Sequence, residues 1–199
     1  AQNAGVAFDL AHLFDHQSVA RLAAIATFSV GGSARPVEAF ELISEADRQC
    51  VPEHVEDAYP LSQVQAGMVF YNRYDTASSL YHVVFCASMR LPFEEAMVRA
   101  VLDELALRHE VLRTSYDFDR YSVPLQLVHR SARVPLVVDD LRDLDGAERE
   151  AAFDRWCGQE ARSPFDVHVP PLLRVFVHRM TDMEFRFTLS FNHAVLDGW

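Results

Sequence analysis

Basic residues are scarce in this chain. Its 199 residues hold 18 Lys and Arg against 29 Asp and Glu, a formal net charge of −11. Binding a phosphate backbone needs clustered Lys and Arg. No such block is present, which argues against a nucleic-acid partner and against an anionic membrane surface. Cysteine is scarce too. Cys50, Cys86 and Cys157 are odd in number, far apart and without a C-x-x-C spacing. That argues against a disulfide scaffold or a zinc ribbon and fits a reducing, cytoplasmic compartment. With 7 glycines the chain is neither collagen-like nor a Gly-rich low-complexity segment. No apolar run approaches the ~18 residues of a membrane span. The first residues show neither the basic region nor the cleavage site of a signal peptide. The G-x-S-x-G, G-x-G-x-x-G and P-loop patterns are all absent.

What is present is a core-forming composition. Half of the residues are apolar, 24% are charged and 14 are Phe, so the chain is expected to fold, as one domain or slightly more. Three zones differ. Residues 1–29 read as helical, with Leu10, Leu13 and Phe14 on one face and Val19, Leu22, Ala23 and Ala26 on another. Asp15 to Ser18 divides them, and Ser18 suits an N-cap. So small a helical pair cannot bury a core alone. Residues 30–57 read as a linker: Gly31, Gly32, Ser33 and Pro36 punctuate its start, while Phe40, Leu42 and Ile43 predict that it lies along a surface.

Residues 58–199 read as one α+β unit. The pattern predicts helices over 62–71, from Pro92 and over 147–161, and strands over 80–90, 111–118, 125–129, 134–138, 172–179 and 184–191. Phe93, Met97, Val101 and Leu105 recur every four residues and predict the buried face of the second helix. Mixed strands and helices favour an α+β sandwich over a strictly alternating parallel sheet.

Three runs carry the chemistry. The run from Ser190 to Trp199 places His193 at a strand end, Asp197 four residues later and Gly198 next. An imidazole with an ordinary pKa near ~6.5 can accept a proton near neutral pH, and glycine allows close backbone approach. Taken alone, H-x-x-x-D is a common chance pattern. The run Arg108 to Tyr116 joins a helix end to a strand. It contains H-E-V-L-R and not the H-E-x-x-H of zinc proteases, so it reads as structural. The run Tyr59 to Phe70 opens a helix with a small Ala66-Gly67 patch that would admit a neighbouring backbone.

Together these runs resemble the N-terminal half of a condensation domain of non-ribosomal peptide synthetases. Y-P-L-S-Q-V-Q-A-G-M at 59–68, R-H-E-V-L-R-T-S-Y at 108–116 and N-H-A-V-L-D-G-W at 192–199 resemble three family motifs in order. Ser163-Pro164-Phe165-Asp166 and Pro171-Leu172-Leu173-Arg174-Val175 also sit where the family places similar runs. Residues 1–29 resemble the last helices of a peptidyl carrier protein, and 40–57 the linker from a carrier into such a domain. Asn192 departs from the pattern, which usually reads H-H-x-x-x-D-G.

The resemblance implies a chloramphenicol-acetyltransferase-like lobe, a two-layer sandwich, facing a second lobe that this chain lacks, so the sequence reads as a fragment. It implies amide formation between aminoacyl or peptidyl thioesters. These arrive on the 4'-phosphopantetheine arms of an upstream donor and a downstream acceptor carrier, with an adenylation domain as neighbour. The carrier's attachment serine would lie upstream of residue 1, and the lobe itself would hold no cofactor and no metal. His193 is expected to act as base or amine-positioning group and the Gly198 N–H as an oxyanion donor. Asn192 and Asp197 are expected to support the loop. The rivals are an acyltransferase using coenzyme A, an epimerisation-type relative, and a silent condensation-like module that only docks carriers. Heterocyclisation relatives usually replace this His with Asp, so His193 argues against them.

Overall fold

A computed structural model describes residues 6–28, 37–74 and 80–196. The chain divides into two units, Ala1–Glu38 and Ala39–Trp199. In the first, β1 (Val6–Ala7) pairs antiparallel with β2 (Thr27–Phe28) around two short helices, α1 (Leu10–Asp15) and α2 (Val19–Ile25). Ser18 is the N-cap of α2, its hydroxyl accepting from the Arg21 N–H at 3.3 Å, as the sequence predicts.

The second unit holds two sheets. The smaller runs β3 (Val55–Pro60), β6 (Leu125–His129), β5 (Thr114–Asp117), antiparallel throughout. The larger runs β4 (His82–Met89), β9 (Phe185–Asn192), β8 (Leu173–Arg179), β7 (Leu136–Asp140), with only the β7–β8 pair parallel. The helices are α3 (Glu45–Gln49), α4 (Gln63–Tyr74), α5 (Glu95–Arg108) and α6 (Gly146–Glu160). The Asp145 carboxylate caps α6 by accepting the Glu148 N–H at 2.9 Å. The result is the mixed α+β unit that the pattern predicts.

Successive strand residues point to opposite faces, and each face of the large sheet carries one helix. Leu102 and Ala106 of α5 pack with Leu173 and Val175 of β8 and with Phe187 and Leu189 of β9. On the other face the Trp156 ring of α6 lies 4.8 Å from Phe176 and 4.2 Å from His178, ring centre to ring centre. The sequence places the buried face of α5 one residue off. Met97 and Val101 are 62% and 51% exposed, and Leu105 is also exposed, while Leu102 and Ala106 are buried and Val98 packs beside them. Both stripes repeat every four residues and both are apolar, so periodicity alone cannot choose between them. The exposed stripe borders a cavity of about 580 Å³ that Leu189, Leu196 and His109 also line.

Residues from Ala39 onward pack with the second unit. Phe40, Ile43 and Val51 lie against Val55, Ala58, Leu125 and Leu127 of the small sheet. The Asp47 carboxylate, almost fully covered, accepts from the N–H of Ser122 at 2.8 Å and from its hydroxyl at 2.5 Å. It also accepts from the hydroxyl of Ser44 at 2.8 Å, and these donors hold its pKa below the usual carboxylate range. This segment lies along a surface, as its apolar residues predict. Strand β3 is absent from the sequence reading because V-E-D-A-Y-P mixes acids with a terminal proline. It is an edge strand, where proline is tolerated.

Candidate functional site

The site is assembled where β9 ends. Asn192 is its last residue and is 2% exposed. Its N–H donates to the Leu172 carbonyl at 3.0 Å. Its side-chain oxygen accepts the Ala194 N–H at 3.0 Å, and its own carbonyl accepts the Val195 N–H at 3.1 Å. A side chain that caps its own turn in this way is what Asn supplies well. Asn192 therefore caps the turn that follows β9. His193 follows immediately. Its backbone N–H donates to the Tyr81 carbonyl at 2.8 Å, so the start of β4 fixes its position. The ring is half-buried, with Phe191 edge-on at 6.5 Å, and Nδ1 is buried with no hydrogen-bond partner among the described residues. Asp197 and Gly198 lie outside the described residues.

The other two motifs meet this loop. Tyr116 is the last residue of the second motif and is fully buried on β5. Its hydroxyl donates to the Ala194 carbonyl at 3.0 Å. Burial pushes the Tyr116 pKa up to about 12, so the phenol keeps its proton and remains a donor. Gln65 of the first motif lies in the first turn of α4. Its amide nitrogen reaches the same carbonyl at 3.4 Å and the Gln126 side-chain oxygen at 3.3 Å. Gln126 in turn donates to the Pro60 carbonyl at 3.3 Å. The start of α4 is set by Ser62, whose hydroxyl accepts the Gln65 N–H at 3.2 Å while the Gln65 side chain accepts the Ser62 N–H at 3.0 Å. That reciprocal pair is a capping box of the S-x-x-Q kind. Around these bonds pack Val69, Leu172, Ala194 and Val195.

Arg113, the second arginine of the second motif, is committed elsewhere. It is 5% exposed; its Nε donates to the Ala106 carbonyl at 2.8 Å, and one terminal nitrogen lies 2.5 Å from a Glu56 carboxylate oxygen and also bonds the His129 carbonyl. It ties the end of α5 to β6 and to β3. The structural reading of the second motif therefore holds for Arg113, while Tyr116 supports the His193 loop directly. The sequence reading misses Gln65, Gln126 and Tyr116 as supports. Among the described residues nothing approaches the Ala66-Gly67 patch closely: a Cβ at Gly67 would meet none of their atoms within 4 Å.

The arrangement presents an imidazole on a tightly held loop. Three separate runs hold the peptide groups on either side of it, which is what a group that must meet a substrate in one geometry needs. A family model described as Condensation domain matches residues 55–199. The chain belongs to the condensation domain family. Among curated proteins it is 34% identical over 208 residues to the AMB antimetabolite synthetase AmbE of Pseudomonas aeruginosa, covering 100% of this chain and 10% of that protein. It is 34% identical over 143 residues to the chondramide synthase cmdD of Chondromyces crocatus, covering 72% of this chain and 4% of that one. Among solved structures, the starter condensation domain of the rhizomide synthetase RzmA superposes with a TM-score of 0.63 at 18% identity, over 71% of this chain and 35% of that one. The chain therefore spans a small part of its curated relatives and about a third of that condensation-domain structure, and the shared fold is that of the condensation domain lobe. No described helix is long and apolar enough to cross a membrane.

Proposed function

We propose that this condensation domain lobe takes part in amide bond formation between two carrier-bound thioesters, in the cytoplasm, during non-ribosomal assembly of a secondary metabolite. The amine of the acceptor aminoacyl thioester attacks the carbonyl carbon of the donor thioester. The C–N bond forms, the C–S bond breaks, the donor carrier's thiol leaves, and the amine gives up a proton. His193 takes that proton or holds the amine by a hydrogen bond. Base catalysis of this kind is worth about 10²–10⁴ in rate. The N–H of Gly198 serves as donor to the developing oxyanion, and Asp197 holds the loop. The substrates ride on phosphopantetheine arms of carriers, with residues 1–29 as the end of one carrier, 30–57 as linker and 58–199 as the lobe. A second lobe and an adenylation domain complete the set of neighbours.

The observation that carries this reading is the convergence of Gln65 and Tyr116 on the Ala194 carbonyl, which holds the loop that carries His193. Asn192 motivates the second reading, a silent module that docks carriers. Its side-chain oxygen is spent on shaping the turn, which serves an active loop as well as a silent one.

The test uses the complete condensation domain with both carriers loaded in deuterated water, read by mass spectrometry of the carrier-bound species. Condensation predicts the joined product on the acceptor carrier. An epimerisation-type activity would instead leave the chain length unchanged and add one deuterium at the α-carbon. Carrier binding with neither change would establish the silent module and overturn the proposal.

A further inference from the structure

The face of the large sheet under α6 contains a line of polar side chains that the reaction above does not use. Arg174 of β8 lies with a terminal nitrogen 2.8 Å from a Glu160 carboxylate oxygen, and the same nitrogen donates to the Ser163 carbonyl at 2.7 Å. The Ser190 hydroxyl of β9 lies 2.5 Å from that same Glu160 oxygen. His82, the first residue of β4, places Nε2 at 2.7 Å from the Ser190 oxygen. Phe165 closes the cluster, with the Arg174 guanidinium 4.0 Å over its ring and the His82 ring edge-on at 5.1 Å. The side chains of His82 and Glu160 are 6% and 8% exposed, and Ser190 is fully covered.

The proton directions in this line follow from what each group can do. A carboxylate paired with a guanidinium only accepts, so Ser190 donates its single hydroxyl proton to Glu160. The Ser190 oxygen is then an acceptor, and His82 must present Nε2–H to it. Burial and the Arg174 guanidinium outweigh Glu160 and lower the His82 pKa, which keeps the ring in this neutral form. The line is therefore ordered from Arg174 to His82, with a fixed donor at each step.

His82 is also where this line reaches the functional loop. In the β4–β9 register it stands opposite Asn192, and the preceding carbonyl, that of Tyr81, accepts the His193 N–H at 2.8 Å. Ser190 is two residues before Asn192 on the same strand. The line thus clamps the last residues of β9 to the first of β4 from beneath, at the point where the chain leaves the sheet for His193. We propose that the Arg174–Glu160–Ser190–His82 array positions His193, with His82 and Ser190 as positioning residues for amide formation. The proposal rests on the condensation reading for its kinetic part only.

The experiment uses the complete condensation domain with both carriers loaded, in His82→Phe, Ser190→Ala and His82→Gln forms. His82→Phe keeps the ring shape and removes the donor. Ser190→Ala removes one hydroxyl from a packed site and decides the matter if His82→Phe does not fold. His82→Gln restores an N–H near the position of Nε2. A misplacement of about 1 Å can cost ~10²-fold. The expected result is a kcat lower by about that factor in His82→Phe and Ser190→Ala, an unchanged KM for the loaded acceptor, and recovery in His82→Gln. Hydrogen exchange at the His193 amide is expected to quicken in the first two forms and not in the third. Folded Ser190→Ala with wild-type kcat, or with a raised KM and unchanged kcat, overturns the proposal. If wild type forms no amide, the condensation reading fails by itself. The exchange measurement then still decides whether the array holds the loop, and unchanged protection in Ser190→Ala overturns it.

Discussion

The two faces of the large sheet differ in chemistry, one apolar and the other mostly polar. Under α5 the strands present Leu173, Val175, Phe187 and Leu189 to the helix, and its polar ties lie beside this face, from Arg99 to the Val134 and Leu136 carbonyls and from Arg113 to the Ala106 carbonyl. Under α6 the same two strands present Arg174, His178, Thr188 and Ser190, with Phe176 among them, against Phe153, Trp156 and Glu160. Apolar burial is non-directional, so the packed side chains under α5 by themselves constrain register weakly. Hydrogen bonds and ion pairs are directional and costly to leave unmade. The polar face lies under the strand end that leads to His193, where register matters most. Its stabilisation is smaller in net terms, and its contribution is placement.

The comparison can be broken from either side. Glu160→Ala leaves the Arg174 guanidinium without its carboxylate and Ser190 without its acceptor, and is expected to lose about 4 kcal/mol in urea unfolding. Replacing Glu160 and Arg174 together, by Leu and Met, is expected to lose less than the single change, because no unpaired charge remains. Leu173→Ala on the opposite face is expected to cost about 3 kcal/mol. It should leave hydrogen exchange at the His193 amide closer to wild type than Glu160→Ala does. Equal quickening by both would erase the distinction between the faces.

Acid should also separate the faces. His178 is 2% exposed between Phe153 and Trp156, and burial lowers its pKa against the opposing pull of Asp139, as burial also lowers that of His82. A His with a lowered folded pKa binds protons first in the unfolded chain. Stability is then fully present above about pH 6.5, the ordinary His value, and falls as pH drops below it. His178→Phe is expected to flatten that fall in thermal melts between about pH 7 and pH 5. An unchanged slope would remove His178 from the account.

The smallest expected effect is at the site. Tyr116→Phe loses one buried hydrogen bond to the Ala194 carbonyl, worth about 1 kcal/mol. The raised Tyr116 pKa means that the unfolded chain releases this proton first, near pH 10, and the folded one at about 12. Stability is therefore lost as pH rises through that window, and the Phe variant should lose less of it.

Most elements of the second unit were legible in the sequence. The Val- and Phe-rich runs of β4, β8 and β9 and the Pro-led start before α5 are local signals, and so is Ser18 as a cap in the first unit. The position of His193 at a strand end was legible for the same reason. The supports of its loop were not. Tyr116 and Gln65 meet each other across 51 positions, and Gln65 reaches Ala194 across 129. Nothing in a local pattern says that a helix-start Gln turns towards a distant carbonyl. The polar line under α6 was hidden in the same way: Ser190 and Glu160 are 30 positions apart, Ser190 and His82 108. The error on α5 has another cause, since Met97, Val101 and Leu105 and their neighbours Val98, Leu102 and Ala106 form two parallel apolar stripes.

The most direct measurement is the single-turnover rate of amide formation in the complete condensation domain, with donor and acceptor carriers loaded, for wild type and His193→Ala. The rate is expected to fall by about 10²–10⁴ in the variant. Equal rates in the two folded proteins would contradict the account, because the loop and all its supports would then be positioning a side chain that the reaction does not need.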